Sequence, residues 1–232
     1  DADLGIMHVD LTRVPEECIP LNPQGRPLLN ASVRDISKRR ISANLLTRDS
    51  AHDGPVMVKT DDNCFGYQEF AQLSRFHPRR LRRKLTKVLP WQLLRELPAG
   101  TYPVLDHVDA VPAWVWERED LVVERFLPEV ENGMFMLRSW LFFGERDYVV
   151  KMRGTHPVVK AGNVIGHEVL DAVPQSLRDL RVRMGMDLGK FDYVEVGGRA
   201  VLIDANKTPT VASKAPGARL LSVGDAFREY FN

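Results

Sequence analysis

The most informative stretch of the sequence is Met186 to Thr210, MDLGKFDYVEVGGRAVLIDANKTPT, in which two runs of strand-forming residues flank a Gly-Gly pair. This pattern predicts a β-hairpin. The hairpin carries three oxygen-bearing side chains of the kind that Mg²⁺ prefers, Asp192, Asp204 and Asn206. Side chains alternate along a strand, so Asp204 and Asn206 share one face. Whether Asp192 joins them depends on the turn.

The length of the turn decides which side chains face each other. If only the Gly-Gly pair forms the turn, Asp192 lies opposite Ile203 and faces away from Asp204. A three-residue turn over 197–199 places Asp192 opposite Asp204, and all three oxygen ligands then share a face. We expect the three-residue turn and a metal site. The alternative is a solvent-exposed hairpin with polar ends.

Composition limits the class of protein. A chain of 232 residues, 44% of them hydrophobic, can bury the core of one large domain or two small ones. The longest apolar stretch, Met134 to Gly144, is interrupted by Arg138 and is far shorter than the roughly 20 residues of a membrane span. Cys18 and Cys64 lie far apart, which gives no disulfide framework or zinc motif, so we expect a reducing, cytoplasmic setting.

Basic residues cluster between Arg75 and Lys87, although the net charge of the chain is only +1. The charges surround Leu81, Leu85 and Val88 at helical spacing, which predicts one solvated face of a helix. Binding of a polyanion is the alternative. The balanced charge argues against a protein that mainly coats nucleic acid.

The remaining pattern predicts a first part that is mainly helical and, from Tyr102 onward, a series of short strands. One short strand is expected within Gly5–Leu11. Helices are expected over Ala31–Thr47, as one helix or a pair, over Tyr67–Leu97 with breaks at Pro78 and Pro90, and over Pro174–Met186 and Val223–Phe231. Strands are expected over Asp53–Thr60, Pro103–Val108, Ala113–Arg118, Leu121–Phe126, Met134–Phe143, Asp147–Met152 and Gly162–Asp171. The second half therefore suggests a largely antiparallel sheet.

Several of these elements could bind anions or a base. Lys59 leaves a strand into a loop that contains Gly66, and such a loop can hold phosphate oxygens, although a solvated lysine is the plainer interpretation. The strand Leu121–Phe126 runs into a proline-ended linker, whose backbone could hydrogen-bond an adenine ring between apolar walls. Arg138, Lys151 and Arg153 could together line an anion-binding trough. The alternatives are a salt bridge for Arg138 and a sheet face with scattered cations.

Three segments occur in the order GPVMVKT, LVVERFLPE and FDYVEVGGRAVLIDANKTP. With the spacing of Asp192, Asp204 and Asn206, they resemble the ATP-grasp superfamily of carboxylate ligases, in the manner of glutathione synthetase and ribosomal-protein glutamate ligase. The resemblance covers about Asp35 to Thr210. It implies an α+β fold in which two α+β subdomains hold the nucleotide between mostly antiparallel sheets. Residues 1–34 would then be the remnant of a preceding α/β region, 35–118 the first subdomain and 119–232 the second.

The resemblance also implies roles for individual residues. Asp192, Asp204 and Asn206 would bind Mg²⁺ or Mn²⁺, and Arg138, with Lys151 and Arg153 as less secure additions, would neutralise the transferred phosphoryl group or the substrate carboxylate. The nucleotide-binding set would comprise the phosphate- or adenine-contacting Lys38 and Lys59, the loop glycine Gly66, the adenine-binding linker Glu124, Arg125, Phe126 and Leu127, and the ribose-binding Glu129 or Glu131.

The implied activity is an ATP- and Mg²⁺-dependent ligase that activates a carboxylate as an acyl phosphate for attack by an amine or a similar nucleophile. Its partners would be ATP, a small-molecule or peptide carboxylate and an amine acceptor. A homodimer is compatible with the sequence, and neither a membrane nor a nucleic acid is an expected partner. Two departures, Asp204 where the family usually has Glu and the acidic Asp61-Asp62 pair in the phosphate loop, favour the alternative of a catalytically impaired nucleotide-binding module.

Overall fold

The computed structural model of the chain describes residues 3–22, 25–160, 162–209, 222, 223 and 225. Within these residues the chain forms twelve strands and six α-helices. The strands are β1 (Gly5–Ile6), β2 (Leu28–Leu29), β3 (Leu45–Leu46), β4 (Val56–Thr60), β5 (Val104–Leu105), β6 (Leu121–Arg125), β7 (Glu129–Glu131), β8 (Met134–Phe143), β9 (Arg146–Gly154), β10 (Val164–Leu170), β11 (Leu188–Val196) and β12 (Arg199–Asn206). The helices are α1 (Lys38–Ile41), α2 (Tyr67–Gln72), α3 (Pro78–Leu85), α4 (Trp91–Leu94), α5 (Ala113–Trp116) and α6 (Gln175–Met184).

The chain divides into two compact units, which are described separately. The first unit contains residues 1–36 and 128–232, and the second contains residues 37–127. Both are built on antiparallel sheets with helices, so the α+β class expected from the sequence is confirmed. The domain boundaries expected after residues 34 and 118 stay predictions. None of the described helices is long and apolar enough to cross a membrane.

The second unit is a four-stranded antiparallel sheet in the order β3-β6-β4-β5. Val56 and Val58 of β4 and Leu121 and Val123 of β6 are buried in its core, which fits the expectation of two strands rich in β-branched residues. The predicted breaks at Pro78 and Pro90 are confirmed, since Pro78 begins α3 and Pro90 precedes α4.

Two predictions within the second unit are wrong. The strand expected over Ala113–Arg118 is instead the short helix α5, which begins after Pro112 and buries Trp114 and Val115. A single turn of helix places both side chains in the core, which a half-buried strand would not do. Of the helix or helix pair expected over Ala31–Thr47, only the four residues of α1 are helical, because the chain leaves the helix at Ser42 to pair β3 with β6.

The first unit is built on a six-stranded antiparallel sheet in the order β10-β9-β8-β11-β12, with β7 beside β8. The strand predicted over Met134–Phe143 is confirmed with the same bounds. Trp140, Phe142 and Phe191 are fully buried on one face, where Leu177 of α6 is also buried. The helix predicted over Val223–Phe231 lies almost wholly outside the described residues.

The hairpin β11–β12 has a shorter turn than expected, but it still places Asp192 opposite Asp204. Val196 pairs with Arg199, so the turn contains only Gly197 and Gly198, and the expected three-residue turn is wrong. Both glycines have positive φ, +58° and +72°, as hairpin turns of two residues favour.

A bulge restores the pairing that the shorter turn would have lost. Tyr193 pairs with Leu202, but the next pair is Asp192 with Asp204, so Ile203 is an extra residue in β12. Beyond it, Lys190 pairs with Asn206. Asp192 and Asp204 therefore face the same side, as the metal hypothesis requires.

The left-handed backbone of the turn gives a stability prediction. We expect Gly198→Ala to lower the free energy of unfolding by about 1 kcal/mol, because a Cβ is disfavoured at positive φ. Urea denaturation measures the change. Gly162→Ala is the matched control, since a Cβ at either glycine meets no atom within 4 Å and only Gly198 has a positive φ. Equal losses in the two variants would contradict this explanation.

Candidate functional site

The carboxylate of Asp192 is held from two sides, away from the turn of the hairpin. Ser139 Oγ on β8 donates a hydrogen bond of 2.7 Å to Asp192 Oδ1. Lys190 Nζ lies 3.0 Å from Asp192 Oδ2. The side chain of Asp192 remains 20% exposed, so it is oriented and still accessible to a ligand.

The other two oxygen side chains are also fixed by local contacts. Asp204 Oδ1 accepts a hydrogen bond of 3.1 Å from the backbone N–H of Ala205. Asn206 Oδ1 accepts one of 2.8 Å from the N–H of Thr208, which leaves no doubt about the orientation of the Asn206 amide. Thr208 Oγ1 in turn donates to Asp10 Oδ1 at 2.6 Å. This end of the hairpin is thus preorganised by neighbouring side chains.

The donor set suits a hard cation. Two carboxylates and one amide oxygen on one face match the preference of Mg²⁺, which usually keeps several waters and takes only one or two carboxylates. Among the described residues no group of three or more His, Cys, Asp or Glu side chains could hold a metal by itself. The residues therefore fit Mg²⁺ that is shared with a phosphate ligand better than a closed protein site.

Lys190 is the member of this site that the sequence predictions missed. It lies two residues before Asp192 on β11, and it shares a face with Asp192, Asp204 and Asn206. The alternation of side chains along a strand would have revealed it once the hairpin was proposed. Its ammonium group lies 3.0 Å from Asp192 Oδ2, one of the proposed metal ligands.

The three cations expected to act with the metal ligands lie on the opposite face of the sheet. Arg138 pairs with Tyr193, whereas its neighbour Ser139 pairs with Asp192, so Arg138 and Asp192 point to opposite sides. Lys151 pairs with Arg138 and therefore shares its face. Arg153 follows by alternation. The structure brings these three cations together but separates them from the metal candidates.

On that opposite face, Arg138 and Lys151 form ion pairs with carboxylates. Arg138 forms ion pairs with Glu129, at 2.7 Å, and with Glu195, at 3.2 Å. Burial disfavours the charged guanidinium, but the hydrogen bond and charge of Glu129 and the charge of Glu195 outweigh it, so the pKa of Arg138 is raised. Glu129 also accepts a hydrogen bond of 2.7 Å from the N–H of Glu195. The salt-bridge alternative for Arg138 is the one observed.

Lys151 is neutralised in the same way. It lies 3.2 Å from Glu131 and 3.3 Å from Glu168. The hydrogen bond to Glu131 is the main reason that the pKa of Lys151 is raised. Arg153 is exposed and stacks over Gly166 of β10. The carboxylates of Glu129 and Glu131, which were expected to bind ribose, thus form ion pairs with Arg138 and Lys151.

Two residues predicted to bind nucleotide meet within the second unit. Lys59 Nζ forms an ion pair of 2.9 Å with Glu124 Oε2, and their side chains are only 3% and 5% exposed. The register explains the contact, because Lys59 pairs with Val122 and Met57 pairs with Glu124 on adjacent strands. A ligand that uses Lys59 must therefore compete with a buried carboxylate.

The loop after β4 should repel phosphate less than its two acidic residues suggest, because the carboxylate of Asp61 is buried and paired. Asp61 is fully buried, and its carboxylate accepts a hydrogen bond of 2.8 Å from the N–H of Arg39, whose guanidinium lies 3.6 Å away. Lys38 is also buried, with Nζ 3.5 Å from the carbonyl of Asp62. The N–H of Gly66 donates a hydrogen bond of 2.8 Å to the carbonyl of Asn63.

The linker after β6 offers one backbone donor. The N–H of Arg125 donates to the carbonyl of Asn44, and that of Phe126 donates to the carbonyl of Pro55, each at 2.9 Å. Within the described residues the N–H of Leu127 makes no such bond. Of the four predicted linker residues, Leu127 is therefore the one whose N–H can meet an adenine ring.

A cavity of about 100 Å³ lies within the second unit, and Gly66 and Asp62 of the loop after β4 contribute to its lining. Phe65, Phe70 and Tyr102 line it together with Arg79 and Glu96. Arg79 binds Glu96 through two hydrogen bonds of 2.8 and 2.9 Å. Pockets for small-molecule ligands are typically about 300 to 1,000 Å³, so this cavity is too small for a nucleotide.

Comparison with known proteins identifies the fold. No protein-family model and no curated protein matches the chain. Among solved structures, the ATP-grasp ligase PsnB with a minimal precursor matches at a TM-score of 0.50 and 11% identity, over 90% of this chain and 65% of that one. The RimK domain protein from Sphaerobacter thermophilus DSM 20745 matches at 0.43 and 14%, over 90% and 74%. D-alanine–D-alanine ligase from Bacillus anthracis with ATP matches at 0.42 and 14%, over 89% and 66%.

Tyr193, buried on the face of Arg138, gives a pH prediction. Burial raises the pKa of its phenol to about 12, with Arg138 opposing the shift and Glu195 and Glu129 adding to it. The folded pKa lies above the ordinary value of 10.0, so this contribution to stability is complete below pH 10 and is lost as the pH rises towards 12.

We expect the wild-type protein to lose about 2 to 3 kcal/mol more than Tyr193→Phe across that pH window, since one pKa unit corresponds to about 1.4 kcal/mol. Urea denaturation at a series of pH values measures the difference. Other titrating groups are common to both proteins and cancel. Parallel pH profiles for the two proteins would contradict the assignment.

Proposed function

Because the chain has the ATP-grasp fold, we propose that it is an ATP- and Mg²⁺-dependent ligase that joins a carboxylate to an amine. The observation that carries the proposal is the convergence of Asp192, Asp204 and Asn206 on one face of the hairpin, with Lys190 beside them. The chain spans 65% of the length of PsnB, and the fold is the extent of that likeness.

The substrate class is proposed from the same neighbour. PsnB was determined with a minimal precursor, and also with Mg and ADP and with a precursor peptide and AMPPNP. We extend this to the present chain as a peptide or small-molecule carboxylate with an amine acceptor. Mn²⁺ offers the same oxygen coordination and could replace Mg²⁺ in assays.

The proposed reaction has two steps. A carboxylate oxygen attacks the γ-phosphorus of ATP, the bond to the bridging oxygen breaks, and ADP leaves with that electron pair. The amine nitrogen then attacks the acyl carbon, inorganic phosphate leaves, and the nitrogen loses a proton to give an amide. Such transfer depends on positioning and on neutralising the phosphate charges more than on a protein nucleophile. Mg²⁺, when bound, supplies part of that neutralisation.

The residues of the hairpin would divide this task. Asp192, Asp204 and Asn206 would hold the metal, and Ser139 and Thr208 would fix two of these three side chains in place. Lys190 would release Asp192 to the metal and turn its ammonium group to the transferred phosphoryl oxygens. An ion pair with nearly one-third of the Lys190 side chain exposed can exchange partners at low cost.

The nucleotide would be recognised by residues of the second unit. Lys38 and Lys59 stay proposed as phosphate or adenine contacts, Lys59 by exchanging Glu124 for the ligand, and Leu127 would bind the adenine ring through its N–H. Glu129 and Glu131, which lie in the first unit, are left out of the nucleotide contacts because they form ion pairs with Arg138 and Lys151. We leave Arg138, Lys151 and Arg153 out of the proposed chemistry, because their carboxylate partners and their face of the sheet oppose it.

A second candidate is a nucleotide-binding module without turnover. The buried Lys59–Glu124 pair favours it, because breaking such a pair is costly unless the ligand replaces both contacts. The shorter Asp204, in place of the usual Glu, points the same way.

Calorimetric titration with MgATP tests the shared part of both candidates. Wild-type protein should bind MgATP, and Asp192→Asn should weaken binding at least about tenfold, or 1.4 kcal/mol, because one anionic ligand is lost. Asp179→Asn on the exposed surface of α6 is the control and should bind like wild type. Absence of MgATP binding in the wild-type protein would refute both candidates.

Release of ADP separates the ligase from the module. With a library of peptide carboxylates and amines, the ligase should release ADP continuously in the presence of a matching pair. Lys190→Met should lower kcat about 100-fold, the usual effect of removing one charge-stabilising group, with a much smaller change in MgATP affinity. MgATP binding without ADP release from any pair would favour the module.

A further inference from the structure

An exposed apolar and basic surface covers residues 75–93 of the second unit. Five of its large apolar side chains are exposed, and we call them, with the cations around them, the α3 surface. The apolar members are Phe76 (91% exposed), Leu81 (63%), Val88 (78%), Leu89 (47%) and Leu93 (79%). The cationic members, also exposed, are Arg75, Arg82, Lys84 and Lys87.

Helix α3 has its polarity reversed relative to an ordinary surface helix. Its inward side carries arginines. Arg80 donates to the carbonyls at the end of α2, including that of Leu73 at 2.8 Å, and Arg83 lies 4.4 Å from the ring of Phe70. Leu81 points to solvent instead. A helix that holds three half-buried arginines on its inner side and exposes Leu81 is arranged for a contact beyond its own domain.

This arrangement corrects the sequence interpretation. The charges around Leu81, Leu85 and Val88 predicted one solvated face of a helix, but Leu81 and Val88 are themselves among the more exposed apolar side chains of the described residues. The spacing was that of an apolar face. The direction in which that face points could not be derived from spacing, since the arginines find carboxylate, carbonyl and aromatic partners on the inner side.

The charge of the segment is unbalanced, unlike that of the whole chain. Residues 75–95 contain eight Lys or Arg and no Asp or Glu. Among the described residues, the side chains of Arg75, Arg82, Lys84 and Lys87 have no hydrogen bond or ion pair. A partner for this surface must therefore be both anionic and able to accept protruding apolar groups.

A lipid surface meets both conditions better than a groove-binding peptide or a nucleic acid. Side chains that line a peptide groove are partly buried by its walls, whereas Phe76, Val88 and Leu93 are each more than three-quarters exposed. Nucleic-acid surfaces are bound through cations and stacking aromatics, and Phe76 is the lone exposed aromatic here. Aliphatic side chains surrounded by cations match the interfacial region of a bilayer.

We propose that the α3 surface binds the headgroup region of a membrane that contains anionic lipids, with Phe76, Leu81, Val88 and Leu93 inserted at the acyl boundary. The segment would lie on the bilayer and not cross it. Basic residues near an anionic surface each strengthen binding about fivefold, and the inserted side chains add an apolar contribution.

Vesicle sedimentation tests the proposal with the full chain. The probes are phosphatidylcholine vesicles with and without about one-third phosphatidylserine, a content that gives a strongly negative surface. The wild-type protein should sediment with the anionic vesicles, and added salt should release it. Arg82→Gln/Lys84→Gln/Lys87→Gln should weaken binding about 100-fold, from three charges at about fivefold each.

The apolar part is tested by Phe76→Ser/Leu93→Ser, which should weaken binding to anionic vesicles at least about tenfold. Both side chains are exposed, so the variant is expected to fold, and circular dichroism verifies it. Val182→Ser/Arg183→Gln is the matched control, because it removes one exposed apolar and one exposed basic side chain from α6. The control should bind like wild type.

Three results would overturn the proposal. Equal sedimentation of the wild-type protein with and without phosphatidylserine would show that binding does not require anionic lipids. Unchanged vesicle binding by the Phe76→Ser/Leu93→Ser variant would remove insertion. Binding of duplex DNA that the same variant retains, with no vesicle binding by wild type, would assign the surface to nucleic acid instead.

Discussion

The register of the β11–β12 hairpin determines the chemistry that the first unit can support. In an antiparallel pair, a shift of one residue moves every later side chain to the other face. The Gly197–Gly198 turn alone would leave Asp192 opposite Ile203, and the bulge at Ile203 returns Asp204 to that place. Asp204 and Asn206 share the face of Asp192 because of this one extra residue, whereas Ser139 contacts Asp192 from β8. The bulge is thus a positioning device, as bulges near functional sites often are.

Much of the fold could be predicted from the sequence because it depends on local pattern. The bounds of β8 and the helix breaks at Pro78 and Pro90 follow from residue type. The convergence of Asp192 with Asp204 was also predicted, but through a longer turn. A bulge leaves no mark in a sequence of strand-forming residues, since Ile203 suits a strand whether or not it is paired.

The parts that failed depend on which face of an element meets the core. The family resemblance assigns Arg138 to the same chemistry as the metal ligands, yet Arg138 lies one register position away from the partner of Asp192 and faces the other side of the sheet. The AWVW segment of α5 has strand-like composition but buries Trp114 and Val115 through one helical turn. Tertiary packing decides such cases, and local preference does not. The sequence leaves open which face of an element meets the core more than it leaves open the type of the element.

Ion pairs hold both sets of proposed ligand contacts. Lys190 pairs with Asp192 near the surface, and Lys59 pairs with Glu124 in the interior of the second unit. The exposed pair exchanges partners cheaply, whereas the buried pair yields only to a ligand that satisfies both charges. The hairpin site is therefore the more readily available of the two, and the proposed function depends first on its geometry.

A cross-linking measurement tests that geometry without reference to any activity. With Cys18 and Cys64 replaced by serine, cysteines at 192 and 204 should form an intramolecular disulfide under mild oxidation, because directly opposed strand residues lie within disulfide reach. Cysteines at 192 and 203 represent the unbulged register and should stay reduced. Mass spectrometry after alkylation distinguishes the two states. Cross-linking of 192 with 203 and not with 204 would contradict the bulged register and, with it, the convergence of the metal ligands.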